Sequence, residues 1–131
     1  DNVILDVNAA VKHVAGAGKV GVVGYCWGGT VAWVAAAKAT GLAASISYYG
    51  GGVAANAGLA PRIPVLFHWG AEDHAIPLAD VHKVESAHSG IPSHIYAAGH
   101  GFNCNERGSW NELCAKLALG RSLEFLHKHV G

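Results

Sequence analysis

At 131 residues, with 51% hydrophobic and only 14% charged residues, the chain has the composition of one globular domain with a substantial core. Nine Lys and Arg balance nine Asp and Glu, which removes the electrostatic case for nucleic acid or an anionic membrane as partner. No apolar run approaches the ~18 residues of a membrane span, and three cysteines without paired spacing suit a reducing compartment, so a cytoplasmic location is expected.

The chain has no methionine and begins Asp1-Asn2-Val3. A primary translation product needs an initiator, so a part of a longer protein is expected. Val3, Val7, Val11 and Val14 recur at helical spacing, which predicts an amphipathic helix over residues 2–15, stopped by Gly16 and Gly18. Val20 to Val23 reads as a short apolar strand, and Thr30 to Ala39 as a helix ended by Gly41. That helix is apolar nearly all round and is expected to be buried. Ala44 to Tyr49 is a second strand, opening into Gly50-Gly51-Gly52; Val53 to Arg62 reads as a loop. The continuous apolar run Ile63 to Trp69 suits a parallel strand covered on both faces. Pro77 opens a helix to about Ser89, Ser93 to Tyr96 is a fourth strand, and Gly108 to Val130 a long helix. In that last helix Trp110, Leu113, Leu117 and Leu123, Leu126, Val130 form apolar rows. Strands alternating with helices predict an α/β fold with a parallel sheet of about four strands and four helices in a single domain.

The chemistry concentrates in Gly24-Tyr25-Cys26-Trp27-Gly28. A reactive side chain on a sharp strand-to-helix turn, with glycine two residues to either side, is the layout of a nucleophile elbow. Glycine is expected at both places because a Cβ would meet the neighbouring strand or helix. Cys26 would stand at a helix N-terminus, which favours thiolate, and the Trp27 amide could donate to a developing oxyanion. The plain alternative is a buried structural cysteine.

Ligands of an open parallel sheet bind outside the carboxyl ends of its strands. The predicted strands end in Cys26, the Gly50 triplet, Asp73 and His100, so the reactive types share one edge. Gly50 could let the backbone approach a ligand there, or be simple punctuation. Asp73 alone could be a turn residue, and His100 alone a surface loop residue. Together they follow the order nucleophile, acid, histidine of the α/β-hydrolases.

The segments GYCWGG, WGAEDHAIP and AGHGFNCNERGSW resemble the dienelactone hydrolase family of α/β-hydrolases, whose nucleophile is cysteine. The resemblance runs from the first helix to the last. It implies Cys26 as nucleophile, Asp73 as the acid orienting the histidine, and His100 as general base. Glu72 is the rival acid, and only the G-x-x-D match favours Asp73. Family members carry further strands before the first helix, which supply a second oxyanion donor and an acidic partner for the cysteine; nothing here replaces them. Of the family's basic substrate contacts, Arg107 is the candidate for a substrate carboxylate, against a solvated arginine; Tyr25 and Gly50 complete the expected substrate surroundings.

Nine histidines invite a metal reading, but their positions show no H-E-x-x-H or C-x-x-C spacing, so no metal site and no cofactor are expected. Cys104 and Cys114 are read as non-catalytic, Cys114 in the core. The expected activity is hydrolysis of a small-molecule ester or lactone through an acyl-enzyme. The alternatives are a binding module that keeps the motif without a completed site, and a thiol-dependent acyltransferase, which an added amine or alcohol acceptor would reveal. A strand order like the family's would leave one edge of Val20 to Val23 unpaired here, inviting self-association or cover by another segment.

Overall fold

A computed structural model describes residues 2–131. Its elements are α1 (Asn2–Val14), β1 (Val20–Tyr25), α2 (Trp27–Lys38), β2 (Leu42–Tyr48), β3 (Val65–Gly70), α3 (Leu78–Ala87), β4 (Ser93–Tyr96) and α4 (Glu112–His129). The predicted loop before β3 contains one 3-10 turn, Ala54–Asn56, and another, Ala15–Ala17, follows α1. The strands form one all-parallel sheet in the order β1-β2-β3-β4. The fold class and element count therefore match the sequence reading.

Parallel register puts alternate side chains of neighbouring strands on the same face. Ser45 and Ser47 of β2 point to one side, where their hydroxyls donate to the Ala32 and Gly29 carbonyls of α2. Two small residues at these points let the helix sit close to the sheet. α2 buries Ala32, Trp33, Ala35 and Ala36, as its all-round apolar pattern predicts. The Trp33 ring packs 5.4 Å from Phe67 and its indole N–H donates to the Asn56 carbonyl. α3 closes the same face with Val81 and Val84. α1 lies outside α2, joined to it by a smaller apolar cluster around Val11, Ala35, Ala39 and Leu42.

The other face belongs to α4. The helix buries the small residues Ala115, Ala118 and Ser122, whereas Leu113, Leu117 and Leu123 are exposed. Aromatic and imidazole rings on the sheet (Tyr48, His68, Tyr96) fill the space that leucines would have taken. Those rings carry polar atoms, and Ser122 satisfies two of them: its hydroxyl lies 2.9 Å from Tyr48 Oη and 2.8 Å from His68 Nε2. His68 Nδ1 meets Tyr96 Oη at 2.7 Å, and Arg121 donates to the same hydroxyl at 3.2 Å. Every buried side-chain nitrogen and oxygen among the described residues has a partner. Burial, with His94 and Arg121 nearby, pushes the pKa of His68 down to about 3, so the ring is neutral.

Among the described residues β1 pairs only with β2, and it is the least covered strand, with Val23 and Tyr25 exposed. Beside it, Gly21, Val23, Leu123, Leu126 and Val130 line an open apolar groove of about 440 Å³.

Candidate active site

β1 runs two residues beyond its predicted end, to Tyr25, and α2 begins at Trp27, three residues earlier than predicted. The whole change of direction therefore falls on Cys26, which has φ 55° and ψ −121°. A non-glycine residue in the left-handed region is strained and persists only where its surroundings hold it. Its amide is held by the Tyr48 carbonyl of β2 at 3.1 Å, and its carbonyl accepts from the Gly29 amide at 2.9 Å. Trp27 opens the helix, so its amide has no acceptor one turn back and points out of the helix end. The Trp27 ring is exposed.

The glycine expectation holds at one of its two places. A Cβ on Gly24 would collide with the carbonyl of Gly28, but a Cβ on Gly28 would meet nothing. Gly28 matters through its backbone; the second tight position is Gly29, where a Cβ would lie 2.5 Å from the Tyr48 carbonyl oxygen. Gly50 is also a packing glycine: its Cβ would stand 2.7 Å from the Gly29 carbonyl carbon and the Thr30 nitrogen. The structure thus puts Gly50 behind the elbow, clamping α2, and not on the cavity wall where a ligand contact was expected.

Asp73 follows β3 and is buried, and its two oxygens divide the work. Oδ1 accepts from the Ala75 and Ile76 amides at 2.7 and 3.0 Å, which fixes the turn. Oδ2 lies 2.7 Å from His100 Nδ1. The turn role and the histidine partnership, alternatives in the sequence, are both present. Glu72, the rival, is exposed and makes no such contact with His100. His100 follows β4, with its carbonyl held by the Ser109 hydroxyl and its ring 5.2 Å from that of Tyr49.

Cys26 lines a cavity of about 500 Å³ with Tyr25, Tyr49, Gly101, Asn103, Cys104, Asn105 and Arg107. Arg107 Nη1 donates to Cys26 Sγ at 3.6 Å. The guanidinium lies over Gly101, whose φ of 78° and missing side chain make room: a Cβ there would strike it. Arg107 is exposed and lines the same cavity as the sulfur. Burial raises the pKa of Tyr25 and of Tyr49, so both phenols stay protonated near neutrality. A second cavity of about 540 Å³ lies by His100, lined by Glu72, His74, Ser109, Trp110 and Asn111 among others. Cys104 is exposed, and Cys114 is partly buried against the core. No group of three or more His, Cys, Asp or Glu among the described residues is arranged to hold a metal ion.

Tyr49 was missed in the sequence. It is the only other non-glycine residue with positive φ among the described residues, and its neighbouring glycines read as punctuation.

Comparison with known proteins agrees with the motif reading. The sequence pattern of the dienelactone hydrolase family matches residues 1–130. The carboxymethylenebutenolidase of Pseudomonas putida is 34% identical over 131 residues, which take in 92% of this chain and 55% of the relative. Carboxymethylenebutenolidase 1 of Cupriavidus pinatubonensis is 31% identical over the same shares. The chain thus spans about half the length of these relatives. A candidate dienelactone hydrolase from Klebsiella pneumoniae subsp. pneumoniae superposes with a TM-score of 0.84 at 26% identity, over 96% of this chain and 60% of that one. An esterase of Pyrococcus furiosus shares the fold, with a TM-score of 0.79 at 15% identity over 98% and 62%. With its cysteine elbow, its Asp73–His100 pair and these likenesses, the chain belongs to the dienelactone hydrolase family.

Proposed function

We propose that the protein hydrolyses small carboxylic esters or lactones through a Cys26–His100–Asp73 triad and an acyl-enzyme. The carrying observation is the 2.7 Å contact between buried Asp73 and His100 at the sheet edge that also presents strained Cys26. A carboxylate on Nδ1 keeps that nitrogen protonated and leaves Nε2 free to take a proton. Cys26 sulfur attacks the carbonyl carbon, and His100 takes the thiol proton. The Trp27 amide donates to the oxyanion. Collapse of the intermediate breaks the bond to the alkoxide, which receives the proton from His100 and leaves. Water, deprotonated by His100, then opens the thioester, releasing a carboxylic acid and restoring the thiol. Arg107, at the cavity mouth beside the sulfur, suits a substrate bearing a carboxylate. A small enol-lactone carboxylate, opening to a diacid, is the class that the carboxymethylenebutenolidase relatives suggest. Three free thiols suit a reducing compartment such as the cytoplasm.

The test is turnover of p-nitrophenyl acetate by the protein and by Cys26→Ala and His100→Ala. Each substitution should lower kcat/KM by about 10³-fold or more, with the fold retained. Brief iodoacetamide labelling should modify Cys26 ahead of Cys104 and Cys114. Full activity in Cys26→Ala would refute the reading.

A further inference from the structure

The register pairs Tyr25 with Tyr48, so Cys26 and Tyr49 are lateral neighbours, one step past the last paired residues. Both leave the sheet with positive φ, 55° and 39°, and they are the only non-glycine residues among the described ones that do. Strain of this kind is retained where the surroundings over-determine it, and it clusters at reactive sites. Tyr49 is gripped on all sides. Its amide donates to the His68 carbonyl at 2.8 Å, and Gly50 behind it is wedged against Gly29 and Thr30. Its ring lies 5.2 Å from both His100 and Phe102, at 58° and 74° respectively.

Without that turn the side chain would follow the alternation of β2. With it, a buried aromatic ring lies between the general base and the wall of the Cys26 cavity, which it lines. Its neighbour Tyr48 spends its hydroxyl on Ser122, on the α4 side of the sheet. Tyr49 has no such side-chain partner among the described residues. Burial keeps its phenol protonated, with the nearby Cys26 adding to the effect and a hydrogen bond with the Asn103 backbone partly offsetting it. The result is a rigid, neutral O–H donor at a cavity whose other wall is the nucleophile.

Resting on the hydrolase reading, we propose that Tyr49 is a further catalytic residue, whose hydroxyl donates a hydrogen bond to an oxygen of the ester or lactone bound at Cys26. A phenol fits this task because it recognises a neutral or developing anionic oxygen without presenting a charge that must be desolvated. It complements Arg107, which supplies full charge, and the Trp27 amide, which serves the oxyanion from the elbow itself.

The test compares Tyr49→Phe with Tyr48→Phe and Cys26→Ala in p-nitrophenyl acetate hydrolysis, with thermal unfolding measured alongside. Tyr49→Phe keeps the ring against His100 and should lower kcat/KM by about 10-fold or more, with the unfolding temperature unchanged. Tyr48→Phe should lower the unfolding temperature and leave kcat/KM within about 2-fold, because its hydroxyl serves only the α4 contact. Normal turnover in Tyr49→Phe, with Cys26→Ala inactive, would overturn the Tyr49 proposal and leave the hydrolase reading standing. An equal loss in both tyrosine variants would also overturn it, by making the effect one of packing. Turnover that survives Cys26→Ala would remove the hydrolase reading and this proposal with it.

Discussion

Acidification should weaken this fold through His68, by an amount that follows from its surroundings. The imidazole is fully buried between Tyr96 and Ser122, and its pKa is pushed down to about 3, first by burial and then by His94 and Arg121. Unfolded, the same side chain titrates near its ordinary 6.5. Between these values the unfolded chain binds a proton that the folded chain refuses. Stability is therefore complete above about pH 6.5 and is lost as the pH falls toward about 3. At pH 5 the unfolded group lies about 1.5 units below its pKa; at ~1.36 kcal/mol per unit, that is about 2 kcal/mol lost from one residue. His94 is shifted in the same direction and adds to the loss. Urea unfolding, followed by tryptophan fluorescence at pH 7.5 and pH 5, reads the change. His68→Gln supplies the control, since its amide can both donate and accept but does not titrate. The variant should be less stable at pH 7.5, yet lose about 2 kcal/mol less than the parent protein on acidification. If the two proteins lose stability in parallel, the buried network does not depend on a neutral His68 and the argument fails.

Two further outcomes are expected. Asp73→Asn should lower kcat by about 10³-fold or more, because an amide donor opposite His100 Nδ1 favours the wrong tautomer, while Glu72→Gln should change kcat little; a larger loss at Glu72 would reverse the choice of acid. Residues 1–131 alone should associate with rising concentration in sedimentation velocity, because β1 leaves backbone groups unpaired beside the apolar groove of Val23, Leu123, Leu126 and Val130; a monomer at all concentrations would refute this.

All four strands and all four helices were legible, the strands because parallel strands covered on both faces carry continuous apolar runs and the helices from their apolar spacing and stop signals. Ser93 to Tyr96 was placed to the residue, and β3 differed by only a residue or two at its ends. The elbow boundaries were less legible. Trp27, Gly28 and Gly29 lack the apolar spacing of a helix, and they become its first turn only because Cys26 reverses the chain so sharply. In α4 the apolar rows did not reveal which residues pack on the sheet. Leucine rows suggest a buried face, but the sheet beneath is already filled by Tyr48, His68 and Tyr96, so alanine and serine fit there and leucine does not. The partner of a buried ring on another strand leaves no local trace in sequence, which is why the His68 network was invisible. Among the candidate site residues, Asp73, His100 and Cys26 were readable because each stands shortly past the C-terminal end of a strand. Tyr49 was not, since a positive φ in a tyrosine carries no compositional signature.

The elbow is held less by its own residues than by the backbone stacked against it. A Cβ on Gly24 of β1 would strike the Gly28 carbonyl, one on Gly29 of α2 the Tyr48 carbonyl of β2, and one on Gly50 after β2 the backbone of Gly29 and Thr30. These contacts form a ladder from strand to helix to loop, each rung short because a side chain is missing. The same ladder carries the two strained residues, Cys26 between the first rungs and Tyr49 before the last. Both residues of positive φ are thus framed by the same set of close glycine approaches. Cys26 and Tyr49 line the same cavity. His100, tied to Asp73 and packed at a tilt 5.2 Å from the Tyr49 ring, is held in place although it stands on a loop.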